Sequence, residues 1–159
     1  MNARSETAVA GNETTIDRPS ERELVVTRVF DAPARIVFEA WTTPALLMRW
    51  WLPESFGATF LSCEADVRPG GTYRFRTGFG VVEGEFLEVD PPARLVQTFQ
   101  NHMQTLEFED LGERTKLTQT LRFETTEERD TTMQYGVEEG AKGGFARVDA
   151  VLAKIAARR

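Results

Sequence analysis

The chain has 159 residues, 41 % of them hydrophobic and 28 % charged, and a formal net charge of −6. That length suits one domain with a substantial apolar core. The acidic balance argues against a general nucleic-acid binder, which needs a basic stripe. A single cysteine, Cys63, excludes an internal disulfide and suits a reducing cytoplasm, and no apolar run approaches the roughly 18 residues of a membrane span.

Residues 1 to 20 are polar and aperiodic, without the apolar stretch of a signal peptide, and read as a disordered tail. Residues 21 to 159 then form a single domain. It opens with "RELVVTRVF" (22–30), dense enough in β-branched residues for a strand. Asp31 and Pro33 supply a helix start, and Ile36, Val37, Ala40 and Trp41 recur at helical spacing over 33–41. Thr43-Pro44 repeats the start signal for a second short helix through "ALLMRWW", which Pro53 prevents from continuing.

From 58 to 123 the period becomes two. Strands are predicted at 58–67, 72–78, 81–89, 94–100, 103–109 and 115–123, separated by "RPGG", "GFG", "DPPA", "QNH" and "DLGER". With the first strand that makes about seven, mostly antiparallel because the links are short. Met133, Val137, Ala141, Phe145, Val148, Leu152 and Ile155 then step by three or four, the stripe of a long helix against a sheet. The order predicts an α+β fold: a curved antiparallel sheet wrapped around a long C-terminal helix, with two short helices after the first strand.

Two features of this pattern ask for an explanation together. All three tryptophans fall within residues 41–51, and Gly136, Gly140 and Gly144 fall four apart on one side of the long helix. Each helical glycine costs about 1 kcal/mol relative to alanine. Either the tryptophan rings fill the bare face as core packing, or the gap belongs to a ligand cavity between helix and sheet, or the helix breaks there. Trp41 is expected in the core. Trp50 and Trp51, being adjacent, cannot point the same way, so one faces the glycine-bearing helix and the other is more exposed.

Groups with chemistry are sparse. His102, the only histidine, lies in the "QNHM" link and reads as a solvated turn residue, and no cluster has metal-ligand spacing. Cys63 reads as a small buried side chain, and Ser55 and Ser62 lie in no nucleophile elbow. "GFGVVEG" (78–84) runs into a strand, so it is a hairpin and not a phosphate loop. Glu83 and Glu85 share a face with Val81, Leu87 and Val89, and an outward face is favoured. Asp66 and Arg68 form a structural pair. Contact residues are better represented: Tyr73 with Phe75, Gln97 with Leu95 and Phe99, and Gln119 with Leu117 and Leu121 each share a strand face. A few polar groups among aromatics can orient a small molecule, and plain core packing yields the same alternation. The candidate ligand-binding set is Trp50, Trp51, Tyr73, Phe75, Gln97, Phe99, Gln119, Met133, Val137 and Gly140. No catalytic residue, metal site or cofactor is assigned.

Five segments in order, "VFDAPARIVFEAWTTPALLMRWWLP", "CEADVRPGGTYRF", "GEFLEVDPPARLVQTF", "LEFEDLGERTKLTQTLRF" and "YGVEEGAKGGFARVDAVL", resemble the family named for homology to the activator of the heat-shock-protein-90 ATPase. The resemblance covers about residues 22–157. It implies membership of the START-like, or SRPBCC, superfamily of helix-grip folds, with a deep, largely apolar cavity between sheet and C-terminal helix. That superfamily includes lipid and hormone binders, polyketide cyclases and dehydratases, and co-chaperones, so fold alone does not set function. The eukaryotic co-chaperones carry a separate N-terminal domain for which this chain has no room. Many relatives have a tryptophan after "EEG", where this chain has Ala141, a change that enlarges the space under the helix.

The leading expectation is a cytoplasmic binder of a hydrophobic or amphipathic small molecule. A chaperone-associated regulator, and an enzyme of the cyclase or dehydratase type acting on a polyketide-like substrate, are the alternatives. The resemblance is compatible with a homodimer, though no residue pattern specifies one.

Overall fold

The computed structural model describes residues 12–52, 59–134 and 136–157. Most of the expected tail (1–11), together with Pro53 and Ser55, lies outside the described residues.

β1 (Thr15–Asp17) and β2 (Glu23–Phe30) lead into α1 (Ala34–Thr42) and α2 (Pro44–Trp50). Six antiparallel strands follow: β3 (Phe60–Ala65), β4 (Thr72–Thr77), β5 (Gly80–Asp90), β6 (Arg94–Phe99), β7 (His102–Asp110) and β8 (Thr115–Phe123). The chain closes with α3 (Thr126–Gln134) and α4 (Val137–Ala157). The fold is α+β, and the sheet, in the order β1-β2-β8-β7-β6-β5-β4-β3, is curved and unclosed.

Two differences from the sequence expectation have local causes. An eighth strand, β1, lies inside the segment expected to be a tail and pairs with β2, Thr15 opposite Thr27. Three residues are too few to show a period, and only the waiting edge of β2 makes them a strand. The apolar stripe expected on one long helix is divided between α3 and α4. Gly136 has φ +88°, a left-handed conformation that ends one helix and lets the next begin. Met133 therefore sits on α3, while Val137 opens α4.

The two short helices form where expected but without side-chain caps: Pro33 and Thr43 hold the N-cap positions, and Asp31 pairs with Arg114 instead. The Pro33 carbonyl accepts the N–H groups of Ile36 and Val37 at 3.0 and 3.1 Å, and the Thr43 carbonyl accepts those of Leu46 and Leu47, both at 2.9 Å. Pro44 occupies the first turn of α2, where its missing N–H costs nothing. α1 buries Ile36, Val37, Phe38, Ala40 and Trp41 against the inner face of the sheet and α4.

Bulges in β3 (between Phe60 and Ser62) and β5 (between Phe86 and Glu88) interrupt the register. The extra residue in β5 switches its parity. Glu83, Glu85 and Leu87 face outward, while Phe86 is buried and Val89 packs on the core. The expected shared face of Glu85 and Val89 is thereby split. Glu83 bonds Arg74 at 3.0 Å on the outer surface, and Asp66 pairs with Arg68 at 2.9 Å, also exposed.

α4 is tied to the sheet by a charge. Arg28, 7 % exposed on β2, donates two hydrogen bonds of 2.8 Å to the Asp149 carboxylate and one of 3.2 Å to the Phe145 carbonyl. Its Nε reaches the Asn12 carbonyl at 2.8 Å. A buried guanidinium survives only because its donors are paired. Asp149→Ala strips two of those bonds and is expected to lower the unfolding free energy by about 2 kcal/mol. Urea denaturation checks this, and a loss within error of zero would show that the bidentate pair does not hold helix to sheet.

Candidate functional site

The second half of α4 is core. Phe145, Val148, Val151, Leu152 and Ile155 are all buried. Its first turns, Val137 to Ala141, are only partly buried, and between them and the sheet lies a cavity of about 300 Å³. That volume is at the lower end of the roughly 300–1,000 Å³ usual for small-molecule sites.

Aromatic rings form two of its walls. Trp50 ends α2 pointing inward, its ring 4.5 Å from that of Trp41 and 6.2 Å from that of Phe145, with its Nε1–H donated to the Ala40 carbonyl at 3.0 Å. The ring and carbonyl of Trp50 lie against Gly144: a Cβ there would stand 3.2 Å from the carbonyl oxygen and 3.4 Å from Cε3. Trp51, turned away by one helical step, packs instead on Phe75, Phe60 and Phe99, at 4.9, 5.8 and 5.8 Å between centroids. Both tryptophans of the pair thus border one space from different sides.

The sheet supplies a polar strip across this apolar chamber. Gln97 on β6, His102 and Gln104 on β7 and Gln119 on β8 all line it. Gln119 Nε2 donates to Gln104 Oε1 at 3.0 Å, and Gln104 Nε2 is 3.0 Å from His102 Nε2. His102 Nδ1 is 3.1 Å from Asn101 Oδ1. An amide NH₂ must donate and a carbonyl oxygen must accept, so the ring carries its proton on Nδ1 and accepts at Nε2. His102 is also sandwiched between Phe99 and Phe123, at 5.2 and 4.7 Å. Burial lowers its pKa to about 4, in keeping with a neutral ring.

Of the ten candidate contact residues, Trp50, Trp51, Phe75, Gln97, Phe99, Gln119, Val137 and Gly140 line this cavity. Tyr73 does not. It is buried behind the wall among Phe75, Phe86 and Phe99, and its hydroxyl donates to the Thr98 carbonyl. Met133 packs on the core from α3, and Thr132 beside it borders the cavity instead. Ala141 is in the wall, where a tryptophan would project into the space.

Sequence reasoning misses His102 and Gln104 as wall residues. His102 is not the solvated turn residue expected: the turn closes at Gln100, with φ +52°, and Asn101, so His102 enters β7 and pairs with both Phe99 and Phe123. The available signal was parity, since His102, Gln104, Leu106 and Phe108 alternate on one face. Cys63 is half-buried, and desolvation, with a smaller effect from Glu64, pushes its thiol up to about 11, which keeps it protonated.

Among the described residues, no group of three or more His, Cys, Asp or Glu is placed to hold a metal ion, and no helix is long and apolar enough to cross a membrane. Other concavities lie on the outer face of the sheet, such as one of about 590 Å³ bordered by Glu64, Arg74, Glu83 and Glu85, where the walls are charged.

Residues 31–153 match the family model described as Activator of Hsp90 ATPase homolog 1-like protein. The chain belongs to that family. Its fold is shared by solved structures of a protein from Rhodobacter sphaeroides (TM-score 0.81, 24% identity, covering 89% of this chain and 99% of the other) and of NE0264 from Nitrosomonas europaea (TM-score 0.80, 22% identity, 88% and 99%). It is also similar to CalU16 from Micromonospora echinospora, with a TM-score of 0.64 and 20% identity over 92% of this chain and 91% of that one. No curated protein matches the sequence. Family and fold together fit a ligand-binding domain of the SRPBCC superfamily.

Two outcomes follow from the wall of the cavity. As the single histidine, His102 has imidazole resonances that need no assignment; a proton NMR titration should give a midpoint near 4, and a midpoint near the ordinary 6.5 would mean that the ring is solvated. Because the folded pKa lies below the unfolded one, the unfolded chain binds the proton first. The destabilisation is absent above pH 6.5 and grows as pH falls toward about 4. His102→Gln should flatten that decline by roughly 3 kcal/mol, read from urea midpoints across the range.

Gly144→Leu forces a side chain against the Trp50 carbonyl and should cost about 1–3 kcal/mol by overpacking. Thermal denaturation with no loss would show that α2 and α4 separate without penalty.

Proposed function

We propose that this protein binds a hydrophobic or amphipathic small molecule in the cavity between the sheet and the first turns of α4. One observation carries the reading. The space lies where the helix presents Val137, Gly140 and Ala141 in place of bulky side chains, opposite Trp50, Trp51, Phe75 and Phe99. An apolar chamber with a few convergent polar groups is the usual form of a small-molecule site. Each of the three readings of the glycine stripe applies to part of it: Trp50 packs against Gly144, Gly140 borders the cavity, and the helix breaks at Gly136. The family's name would also suit a chaperone-associated regulator, but no geometry here favours that reading.

Native mass spectrometry of the purified protein, followed by organic extraction, should reveal a bound mass of a few hundred daltons. For a ligand lost on purification, the neutral dye N-phenyl-1-naphthylamine should bind with a one-to-one stoichiometry. Gly140→Leu should weaken the dye by at least about tenfold while leaving the circular dichroism unchanged, since leucine is the better helix former by nearly 1 kcal/mol. Unchanged affinity in that variant would sink the cavity placement.

A further inference from the structure

The cavity walls also restrict the chemistry of what they enclose, an argument that rests on the small-molecule reading above. Among the described residues that line it, none is Asp, Glu, Lys or Arg. Arg28 is engaged by Asp149, Phe145 and Asn12, and Arg147 by the Leu52 carbonyl at 3.0 Å. Against these described walls a carboxylate or ammonium would lose water without gaining a counter-charge, which is costly.

The polar strip is specific about direction. Starting from Asn101, each hydrogen bond runs the same way: His102 Nδ1–H to Asn101, Gln104 N–H to His102, Gln119 N–H to Gln104. The row ends at Gln119, whose Oε1 accepts from no described residue. The neighbouring polar groups do not supply the missing donor. The Tyr73 hydroxyl is given to the Thr98 carbonyl, and the hydroxyl of Thr132 in the cavity wall to the Glu128 carbonyl. An amide oxygen in an apolar chamber calls for a donor. The flanking surfaces are ring faces and edges from Trp51, Phe75 and Phe99 on one side and Trp50 on the other, which favours a flat apolar body.

We infer that the cavity takes an uncharged, flat aromatic ligand that donates one hydrogen bond, from a hydroxyl or N–H, to Oε1 of Gln119. The aromatic walls supply the affinity, and the end of the amide row sets the orientation.

Three naphthalenes of one shape separate the elements of this statement: 2-naphthol is neutral with a donor, 2-methoxynaphthalene is neutral without one, and 2-naphthoate is charged. Isothermal titration at pH 7 should rank 2-naphthol about fivefold tighter than 2-methoxynaphthalene, the value of one neutral hydrogen bond, with 2-naphthoate weakest. Gln119→Met, close in length but lacking the amide oxygen, should bring 2-naphthol down to the level of 2-methoxynaphthalene and leave the latter unchanged. In the unaltered protein the Gln119 side-chain amide resonances should shift with 2-naphthol and much less with the ether, a readout independent of how the variant folds. Equal binding of the two neutral probes, tightest binding of 2-naphthoate, or a preference that survives Gln119→Met would overturn the inference while leaving the cavity reading intact. No binding of any of the three would overturn it as well, and the dye and the extracted mass then decide the cavity reading separately.

Discussion

The contact on which this architecture turns is the face of Trp50 against the bare backbone of Gly144. It joins α2 to α4 at a position where any side chain would press on Trp50. With a methyl group at 144, the Trp50 carbonyl would have to give way by a few tenths of an ångström. With only hydrogen there, the ring packs beside Trp41 and Phe145, and its Nε1–H is donated to the Ala40 carbonyl. α1, α2 and α4 are thereby locked into one unit, and the Arg28–Asp149 pair fixes that unit to β2 from the other side of the helix.

Two consequences divide α4 in half. Beyond Gly144 the helix has the side chains of a core element, and every large apolar residue from Phe145 to Ile155 that faces the sheet is buried. Before it, the same helix spans a space rather than filling one, with Val137, Gly140 and Ala141 overhanging the concave sheet. Packing so tight at one end and so sparse at the other is not explained by core density alone, because protein interiors tolerate few voids. The helix is packed where it is anchored and open where the sheet turns polar.

That polar strip follows from neighbouring strands in register. Gln97 stands opposite Gln104 across β6 and β7, and Gln104 opposite Leu121, one step from Gln119, across β7 and β8. Amides on adjacent strands of the inner face meet and form a row, and His102, two residues before Gln104, extends it toward Asn101. Burial between Phe99 and Phe123 keeps the ring neutral, and only a neutral ring can accept from Gln104 while donating to Asn101. The electrostatics of the row therefore depend on the same aromatic packing that shapes the cavity.

Much of this was legible in the residues. Period-two alternation located six strands, the Pro33 and Pro44 starts located two helices, and five segments in family order identified the helix-grip fold, because each signal lies within a few neighbouring positions. The partition of Trp50 from Trp51 also followed from helical rotation alone. What the sequence could not decide depends on distance through space: which wall each ring faces, whether Tyr73 points into the cavity or behind it, and whether a histidine beside a turn is wet or stacked. Three residues at Thr15–Asp17 become a strand only because β2 offers them an edge. Gly136 reads as a helical residue until the chain bends there. Local chemistry determined the elements and the family; the size of the gap and the direction of its hydrogen bonds were decided by tertiary packing, because both are properties of groups far apart in the chain that only the closed fold brings together.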